Sequence, residues 1–248
     1  MRQSMLFNGL ETLSYNSNRK KQNLKLFEFG KTYHQYGDKR EENKHLALFL
    51  TGNRTEEGWA TGKRAVDFFY LKSIIQNILS RLGITVSHTH PIENSILSEG
   101  IGLGLRKKVL VEFGTVAKSI LKKFDLKQDV LYADFNWDAI CQLAGETAIV
   151  FKDIPKYPEV KRDFALLLNE NISFREVHDI ATKTEKKYLK AVNLFDVYTG
   201  SKLPEGKKSY AISFTLQSAE STLTDKQIDK IMGKLQLRYE KELHAELR

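Results

Sequence analysis

The pattern of hydrophobic and polar residues predicts a mixed set of helices and strands in the first 150 residues. Residues 64–82 form the clearest predicted helix, and Gly83 follows at a position where helices favour glycine. Its expected core stripe is Val66, Phe69, Tyr70, Ile74, Ile78 and Leu82. The other predicted helices are 6–15 and 116–124, and the predicted strands are 24–33, 46–50, 109–113 and 130–135.

The last 95 or so residues show the element order βαββαβ, which predicts a ferredoxin-like fold. Capping boxes at Ser173-x-x-Glu176 and Thr224-x-x-Gln227 open the two helices. The second helix carries an apolar stripe made of Ile228, Ile231, Met232, Leu235, Tyr239 and Leu243. The predicted strands are 164–168, 191–198, 209–217 and a short one at 246–248.

A domain boundary is expected near residues 151–158, where two of the four prolines of the chain lie. Proline fixes its own φ and holds the preceding residue in an extended conformation, as is common in linkers. The sequence therefore predicts an α+β protein with one domain over residues 1–150 and a second over residues 151–248.

Strand alternation groups three chemically useful residues in the second domain. In the strand 209–217, Ser209 lies on a small, polar face, opposite an apolar face that must meet the helices. In the preceding strand, Asp196 and Tyr198 point away from Phe195 and Val197. If the two strands form a hairpin, Tyr198 lies near Ser209, and Asp196 is one step further along the same face.

This grouping favours the binding of single-stranded RNA. An aromatic ring stacks on a splayed base, and polar side chains read the edge of the base by hydrogen bonds. The carboxylate of Asp196 suits guanine, which offers two neighbouring donors. The loop before Ser209 adds Lys207 and Lys208, which can meet phosphates. The other interpretation is a solvated sheet face with a basic hairpin tip.

Charge and composition add modest constraints. Lysine and arginine number 39 against 31 acidic residues, giving +8, but the basic residues are spread over both domains. An acidic partner such as RNA fits this charge without being located by it. No apolar run approaches the roughly 20 residues needed to span a bilayer, and residues 1–13 lack a signal-peptide pattern. The single cysteine excludes an internal disulfide, so the expected location is the cytoplasm.

Four segments in the same order resemble the anticodon-binding domain that ends the bacterial phenylalanyl-tRNA synthetase beta subunit. They are residues 157–163 (YPEVKRD), 195–198 (FDVY), 204–209 (PEGKKS) and 222–225 (TLTD). The resemblance covers residues 155–248. It implies that Asp196, Tyr198 and Ser209 hold the first anticodon base, a guanine. Further expected contacts to tRNA phosphates come from Lys161, Arg162, Lys207 and Lys208.

Residues 1–6 (MRQSML) and 26–30 (LFEFG) resemble the class II synthetase-like core of the same subunit. The resemblance implies a non-catalytic core that lacks its first strands and pairs with a catalytic alpha chain, in a heterotetramer of two alpha and two beta chains. ATP and Mg²⁺ then belong to the holoenzyme and no cofactor to this fragment. Residues 26–33 contain no arginine to hold an ATP phosphate, in agreement with that expectation.

Other motifs carry less information. His88 and His90 lack the further ligands of a metal site, so a solvated strand end is expected. The glycine-rich segment 100–104 is not followed by a P-loop lysine and predicts a bend in the core sheet. Cys141 is expected to be a small buried hydrophobe. The sequence thus predicts neither catalytic residues nor metal ligands.

Two other classes of protein compete with this interpretation. Ferredoxin-like folds also serve as small-molecule-binding regulatory domains. Such a domain should have glycine-rich turns between strand and helix, whereas residues 169–173 contain no glycine. A stand-alone enzyme would need a catalytic constellation, and the sequence offers none.

Overall fold

The structure, a computed structural model, describes residues 1–56, 58–146, 151, 153–200 and 202–247. The chain forms two compact units, Met1–Val150 and Phe151–Arg248. The predicted boundary lies beside residues 147–150 and 152, which fall outside the described residues, so its position stays a prediction.

Unit 1 is built on a six-stranded antiparallel sheet with strand order β1-β2-β6-β5-β4-β3. Its strands are β1 (Leu24–Tyr36), β2 (Lys39–Thr51), β3 (His88–Pro91), β4 (Leu97–Leu105), β5 (Lys108–Val116) and β6 (Val130–Asn136). Its helices are α1 (Leu6–Ser17), α2 (Phe68–Arg81), α3 (Lys118–Lys123) and α4 (Trp137–Glu146).

Both faces of this sheet bury apolar residues, because its strands alternate between two helical layers. In β2, Leu46, Leu48 and Leu50 pack with α2 and α4. Their neighbours Ala47 and Phe49 pack on the opposite face with α1 and α3. Each side of the sheet therefore has its own hydrophobic cluster.

Helix α2 begins later than predicted, and the predicted stripe apart from Phe69 packs partly buried against the core, beside a fully buried stripe. Asp67 caps it, since its carboxylate accepts a hydrogen bond from the backbone N–H of Tyr70 at 2.7 Å. The buried residues are Leu71, Ile75 and Leu79, spaced four apart. Phe69 is two positions from Leu71, nearly on the opposite side of the helix, and is 75% exposed. The prediction that Phe69 lies in the core is wrong.

Unit 2 has a four-stranded antiparallel sheet in the order β10-β7-β9-β8. Its elements are β7 (Val160–Asn169), α5 (Phe174–Thr184), β8 (Leu189–Tyr198), β9 (Lys207–Leu216), α6 (Asp225–Leu243) and β10 (Glu246–Leu247). Within this unit the first and third strands are central, as in ferredoxin-like folds. The predicted α+β class, with an antiparallel sheet followed by a ferredoxin-like domain, is confirmed.

Capping and burial explain why the two helices of unit 2 cover one side of its sheet. The side chains of Glu176 and Gln227 accept hydrogen bonds from the backbone N–H groups of Ser173 (2.7 Å) and Thr224 (2.9 Å). The predicted α6 stripe is buried in full, together with the apolar face of β9. We call the other side of the sheet the open face; it carries Ser209, Ala211, Ser213 and Thr215, all half-buried.

Candidate nucleic-acid interface

The open face of unit 2 brings together the three residues that alternation had grouped. Tyr198 lies directly opposite Ser209 in the β8–β9 ladder, and Asp196 lies opposite Ala211. Residues that face each other in an antiparallel ladder project to the same side of the sheet. Asp196, Tyr198 and Ser209 therefore share the open face.

A shift of register in β8 is needed to place them there. Leu194 faces Ile212 and lies on the helix side, whereas Asp196 faces Ala211, the very next residue of β9. Phe195 is thus an extra residue without a partner, as in a β-bulge. Strict alternation from Leu194 would have turned Asp196 toward the helices. The extra residue turns it, and Tyr198 with it, to the open face.

Tyr198 presents its ring beside the start of the hairpin loop. The residue is 39% exposed. A Cβ atom placed on Gly200 would lie 2.5 Å from the Tyr198 hydroxyl oxygen, so the ring occupies the space that Gly200 leaves free. The tip of the loop turns at Gly206, which has φ +74° and so a conformation that favours glycine. The aromatic ring is therefore held against backbone at the edge of the open face.

Asp196 is an exposed carboxylate that has no hydrogen-bond or ion-pair partner among the residues that the structure describes. An ionised carboxylate is an acceptor through both oxygens. It can accept two neighbouring N–H groups of a base, and the hydroxyl of Ser209 can donate or accept beside it. The three side chains together offer a stacking surface, a paired acceptor and an adaptable hydroxyl.

The four predicted phosphate contacts are divided between the two sides of the sheet. Lys161 faces Thr215 and Lys207 faces Asn169, positions that belong to the open face. Lys161 lies 3.6 Å from the carboxylate of Glu159.

Arg162 and Lys208 point to the helix side. Arg162 faces Phe214 and lies 3.8 Å from the carboxylate of Asp225 at the start of α6. The ammonium of Lys208 donates to the backbone oxygen of Glu170 at 2.8 Å and lies 4.7 Å from the ring centre of Tyr210. Of the four cationic side chains, only those of Lys161 and Lys207 therefore lie on the open face.

Two further polar residues of the open face were missed in the sequence. Asp163 on β7 and Asn193 on β8 both face Ser213, one from each side. Simple alternation separates Asn193 from Asp196, since residues three positions apart project to opposite faces of a regular strand. Only the unpaired Phe195 puts them on one side, and the pairing that reveals it is not visible in the sequence.

Outside this interface, several weaker sequence motifs find structural explanations. His88 and His90 lie on β3 with ring centres 6.3 Å apart. They face Gly104 and Gly102, where a Cβ would come within 2.2 Å of an imidazole ring, so the glycines of β4 make room for the histidines. Segment 100–104 is a strand of the sheet. Among the described residues, no group of three His, Cys, Asp or Glu side chains is placed to hold a metal ion.

The prediction for Cys141 is wrong, since the residue is exposed. Helix α4 buries Ala139, Ile140 and Leu143 instead, and Cys141 lies on the other side of the helix. As to membranes, the helices that the structure describes all fall short of the length and hydropathy that a bilayer span requires.

The fold and the family comparisons agree on the class of protein. Unit 2 is a ferredoxin-fold domain of the anticodon-binding class, because residues 155–248 match the family model "Ferredoxin-fold anticodon binding domain". Residues 1–137 match the model "Phenylalanyl tRNA synthetase beta chain CLM domain". The chain belongs to the phenylalanyl-tRNA synthetase beta chain family.

Curated relatives match the chain over its whole length. The phenylalanine–tRNA ligase beta subunits of Bacteroides thetaiotaomicron and Porphyromonas gingivalis are 43% and 41% identical to it over 260 residues. That of Streptococcus pneumoniae is 37% identical over 254 residues. Each match covers 100% of this chain and 32% of the relative, so the chain spans about a third of their length.

Among solved structures, a pyrrolysyl-tRNA synthetase from Desulfitobacterium hafniense has a TM-score of 0.46 at 14% identity, over 59% of this chain and 50% of that one. This similarity is too low to add to the account of the fold.

Proposed function

We propose that unit 2 binds the anticodon of a phenylalanine-accepting tRNA, as the RNA-binding module of a phenylalanine–tRNA ligase beta subunit. The observation that carries the proposal is the pairing of Tyr198 with Ser209 and of Asp196 with Ala211 on the open face. A ring, a carboxylate and a hydroxyl thus share the side of the sheet that faces away from the two helices of unit 2. Family membership supplies the class of RNA.

In the proposed complex, Tyr198 stacks on the first anticodon base, a guanine. The carboxylate of Asp196 accepts from the Watson–Crick edge of that base, and Ser209 completes the contact. Stacking tolerates any base, whereas a carboxylate disfavours bases that present acceptors to it. Affinity therefore comes largely from the ring, and selectivity from Asp196.

Phosphate contacts hold the RNA on the sheet without reading its sequence. Lys207 is the leading candidate, because it is two residues from Ser209 on the same face. Lys161 is on that face too, opposite Thr215, four residues beyond Ala211 and thus about 13 Å along the strand. Arg162 and Lys208 remain candidates for phosphates that pass around the edge of the sheet toward the helix side.

Unit 1 is proposed to act as a non-catalytic scaffold in the cytoplasm, pairing with the catalytic alpha chain in a heterotetramer of two alpha and two beta chains. The holoenzyme would attach phenylalanine to its tRNA with ATP and Mg²⁺. Residues 26–33 of β1 contain no arginine to meet the phosphates of a nucleoside triphosphate, which supports this division of roles. ATP and Mg²⁺ are accordingly assigned to the alpha chain.

A binding measurement with two RNAs tests the anticodon proposal. The full 248-residue chain is titrated with a phenylalanine-accepting tRNA and with the same tRNA lacking its anticodon stem and loop. The proposal predicts that removing the stem and loop abolishes most of the affinity. Equal affinity for both RNAs would contradict it. A small-molecule regulatory domain, the other interpretation of the fold, predicts negligible affinity for either RNA.

A further inference from the structure

A row of side chains crosses the whole sheet of unit 1 on the face that also holds α1. The paired residues run from Glu28 on β1 through Ala47, Asp134, Glu112 and Gly102 to His90 on β3. Each partner projects to the same side as its neighbour. Helix α1 and its apolar partners cover one part of this face, where β2 contributes Ala47 and Phe49. Further along the same strands the face is polar and lines a cavity of about 360 Å³, where β2 contributes Asn43 and His45.

A chain of hydrogen bonds links Tyr132 to four residues that line this polar cavity: Asp134, His45, Thr32 and His34. The Tyr132 hydroxyl lies 3.0 Å from one carboxylate oxygen of Asp134, and Nδ1 of His45 lies 2.7 Å from the other. On its other side, Nε2 of His45 lies 2.9 Å from the hydroxyl of Thr32. Nε2 of His34 lies 3.3 Å from that same hydroxyl.

Two members of this chain of hydrogen bonds are deeply buried. Thr32 is 2% exposed and Tyr132 is 6% exposed. Burial and the neighbouring Asp134 raise the pKa of Tyr132, which therefore stays a neutral donor. His45 bridges Asp134 and Thr32, with one ring nitrogen on each.

Glu112 gives the cavity an uncompensated charge. It lies directly opposite Asp134, and two carboxylates so placed repel each other. Asp134 has two donors, whereas Glu112 has no hydrogen-bond or ion-pair partner among the described residues. None of the described residues that line the cavity is a lysine or arginine. A chain of net charge +8 thus contains a cavity lined by two carboxylates, of which Asp134 is paired with His45 and Glu112 is unpaired among the described residues.

We propose that this cavity binds a small organic amine, with the ammonium group between Glu112 and Asp134. The volume is in the range of small-molecule sites. The amides of Asn43 and Asn136 line the same cavity and can meet polar groups on the rest of the ligand. A metal ion is a poorer fit, because no three His, Cys, Asp or Glu side chains of the described residues are placed around a common point. All the residues that line the cavity belong to unit 1.

The test is an NMR titration of the full chain with putrescine, which carries two primary ammonium groups. Backbone amide signals of Thr32, His45 and Glu112 are followed at constant ionic strength, with 1,4-butanediol as the neutral probe and MgCl₂ as the metal probe. Putrescine should shift these signals saturably, and the other two probes should not. No saturable shift with putrescine, or equal saturation by Mg²⁺, would overturn the proposal.

Two glutamine variants separate the cavity from general charge attraction. Glu112→Gln removes the uncompensated carboxylate at an exposed position and should weaken putrescine binding about tenfold or more, as expected for losing a charge-assisted hydrogen bond. Glu99→Gln removes an exposed carboxylate on β4 that does not line the cavity, and should leave binding unchanged. The amide spectrum of each variant shows whether it is folded. Equal affinity in the Glu112→Gln variant and the parent would refute the assignment.

Discussion

Tyr198 and its neighbours show how much of the proposed RNA site depends on individual side chains. Its ring is held over the backbone of Gly200 and opposite Ser209, so it is already in place as a platform before any base arrives. A side chain that is positioned in advance loses less entropy on binding than a free one. The ring, rather than its hydroxyl, should therefore supply the affinity.

Replacing Tyr198 tests this expectation. Tyr198→Ala should weaken tRNA binding by about 1–3 kcal/mol, the usual contribution of an aromatic ring stacked on a base. Tyr198→Phe should be nearly neutral, because it keeps the ring. Dissociation constants from filter binding decide the matter. Similar losses in both variants would show that the hydroxyl makes the contact and that stacking does not.

Gly200 is expected to position this ring. Gly200→Ala places a methyl group 2.5 Å from the present position of the Tyr198 hydroxyl, so the ring must move and tRNA affinity should fall severalfold. Gly233→Ala is the control, since a Cβ there meets nothing within 4 Å. That substitution lies within α6 and should slightly stabilise the fold without affecting tRNA. Unchanged affinity in the Gly200→Ala variant would mean that the ring adapts freely.

Strand β9 separates two adjacent lysines by its alternation. Lys207 points to the open face, whereas Lys208 points to the helix side and donates to Glu170. This difference exists only because the segment is a strand, in which neighbouring side chains project in opposite directions. The two residues form a matched pair for finding the path of the RNA backbone.

Salt dependence should distinguish them. Lys207→Ala should flatten the slope of log K against log salt by about 0.7, the value for one phosphate contact on a single strand. It should weaken cognate and non-cognate tRNA alike. Lys208→Ala should leave the slope unchanged. The measurement is a tRNA titration at several salt concentrations, and a larger change in the Lys208→Ala variant would show that the RNA runs along the helix side.

The capping box of α5 predicts a pH effect on stability. Hydrogen bonds from the backbone N–H and the hydroxyl of Ser173 lower the pKa of Glu176 below its usual value. A carboxyl group with a lowered pKa in the folded state stabilises the fold at pH values above its unfolded pKa, and this contribution disappears as pH falls through the folded pKa. Part of the stability should therefore be lost on acidification below about pH 4.5.

Urea denaturation at several pH values checks this expectation. In the Glu176→Gln variant, which cannot titrate at residue 176, the fall in the urea midpoint between pH 5 and pH 3 should be smaller than in the parent. Glu170→Gln, at an exposed position outside the helix, is the control and should keep the full pH dependence. An identical pH profile in the Glu176→Gln variant would show that the Glu176 carboxylate does not contribute to the pH dependence of stability.

For the molecule as a whole, features that repeat locally could be predicted and features set by long-range pairing could not. Strand alternation and the two capping boxes predicted the ferredoxin-like order, and they grouped Asp196, Tyr198 and Ser209. The register shift at Phe195 depends on what β8 pairs with, so it was missed. Helix α4 was missed, and β3 and β4 were predicted only as a strand end and a bend in the sheet, because their periodic patterns are short or rich in glycine.

The polar cavity of unit 1 could not be predicted for the same reason. Thr32, His45 and Asp134 come from three strands, and Asp134 is 89 residues from His45 along the chain. Nothing in their local sequence indicates that they meet. The positions of Arg162 and Lys208 were likewise uncertain, because strand alternation gives the side of a residue only once the register of its neighbours is known.

The identity of the base that Asp196 reads is the central claim about function. The parent chain should bind tightly to a tRNA with guanine at the first anticodon position. It should bind more weakly to tRNAs changed at that position, and both affinities should be measured. Asp196→Ala should weaken binding of the guanine tRNA by about 1–3 kcal/mol, as expected for one good base contact. Asp163→Ala is the control, because it removes another exposed carboxylate from the open face, opposite Ser213.

The most direct test is the ratio of affinities for the guanine tRNA and a tRNA with adenine at that position, measured for the parent, the Asp196→Ala variant and the Asp163→Ala variant. The ratio should fall to near one in the Asp196→Ala variant and keep its parental value in the Asp163→Ala variant. If the Asp196→Ala variant discriminates between the two tRNAs as well as the parent does, Asp196 does not read the base.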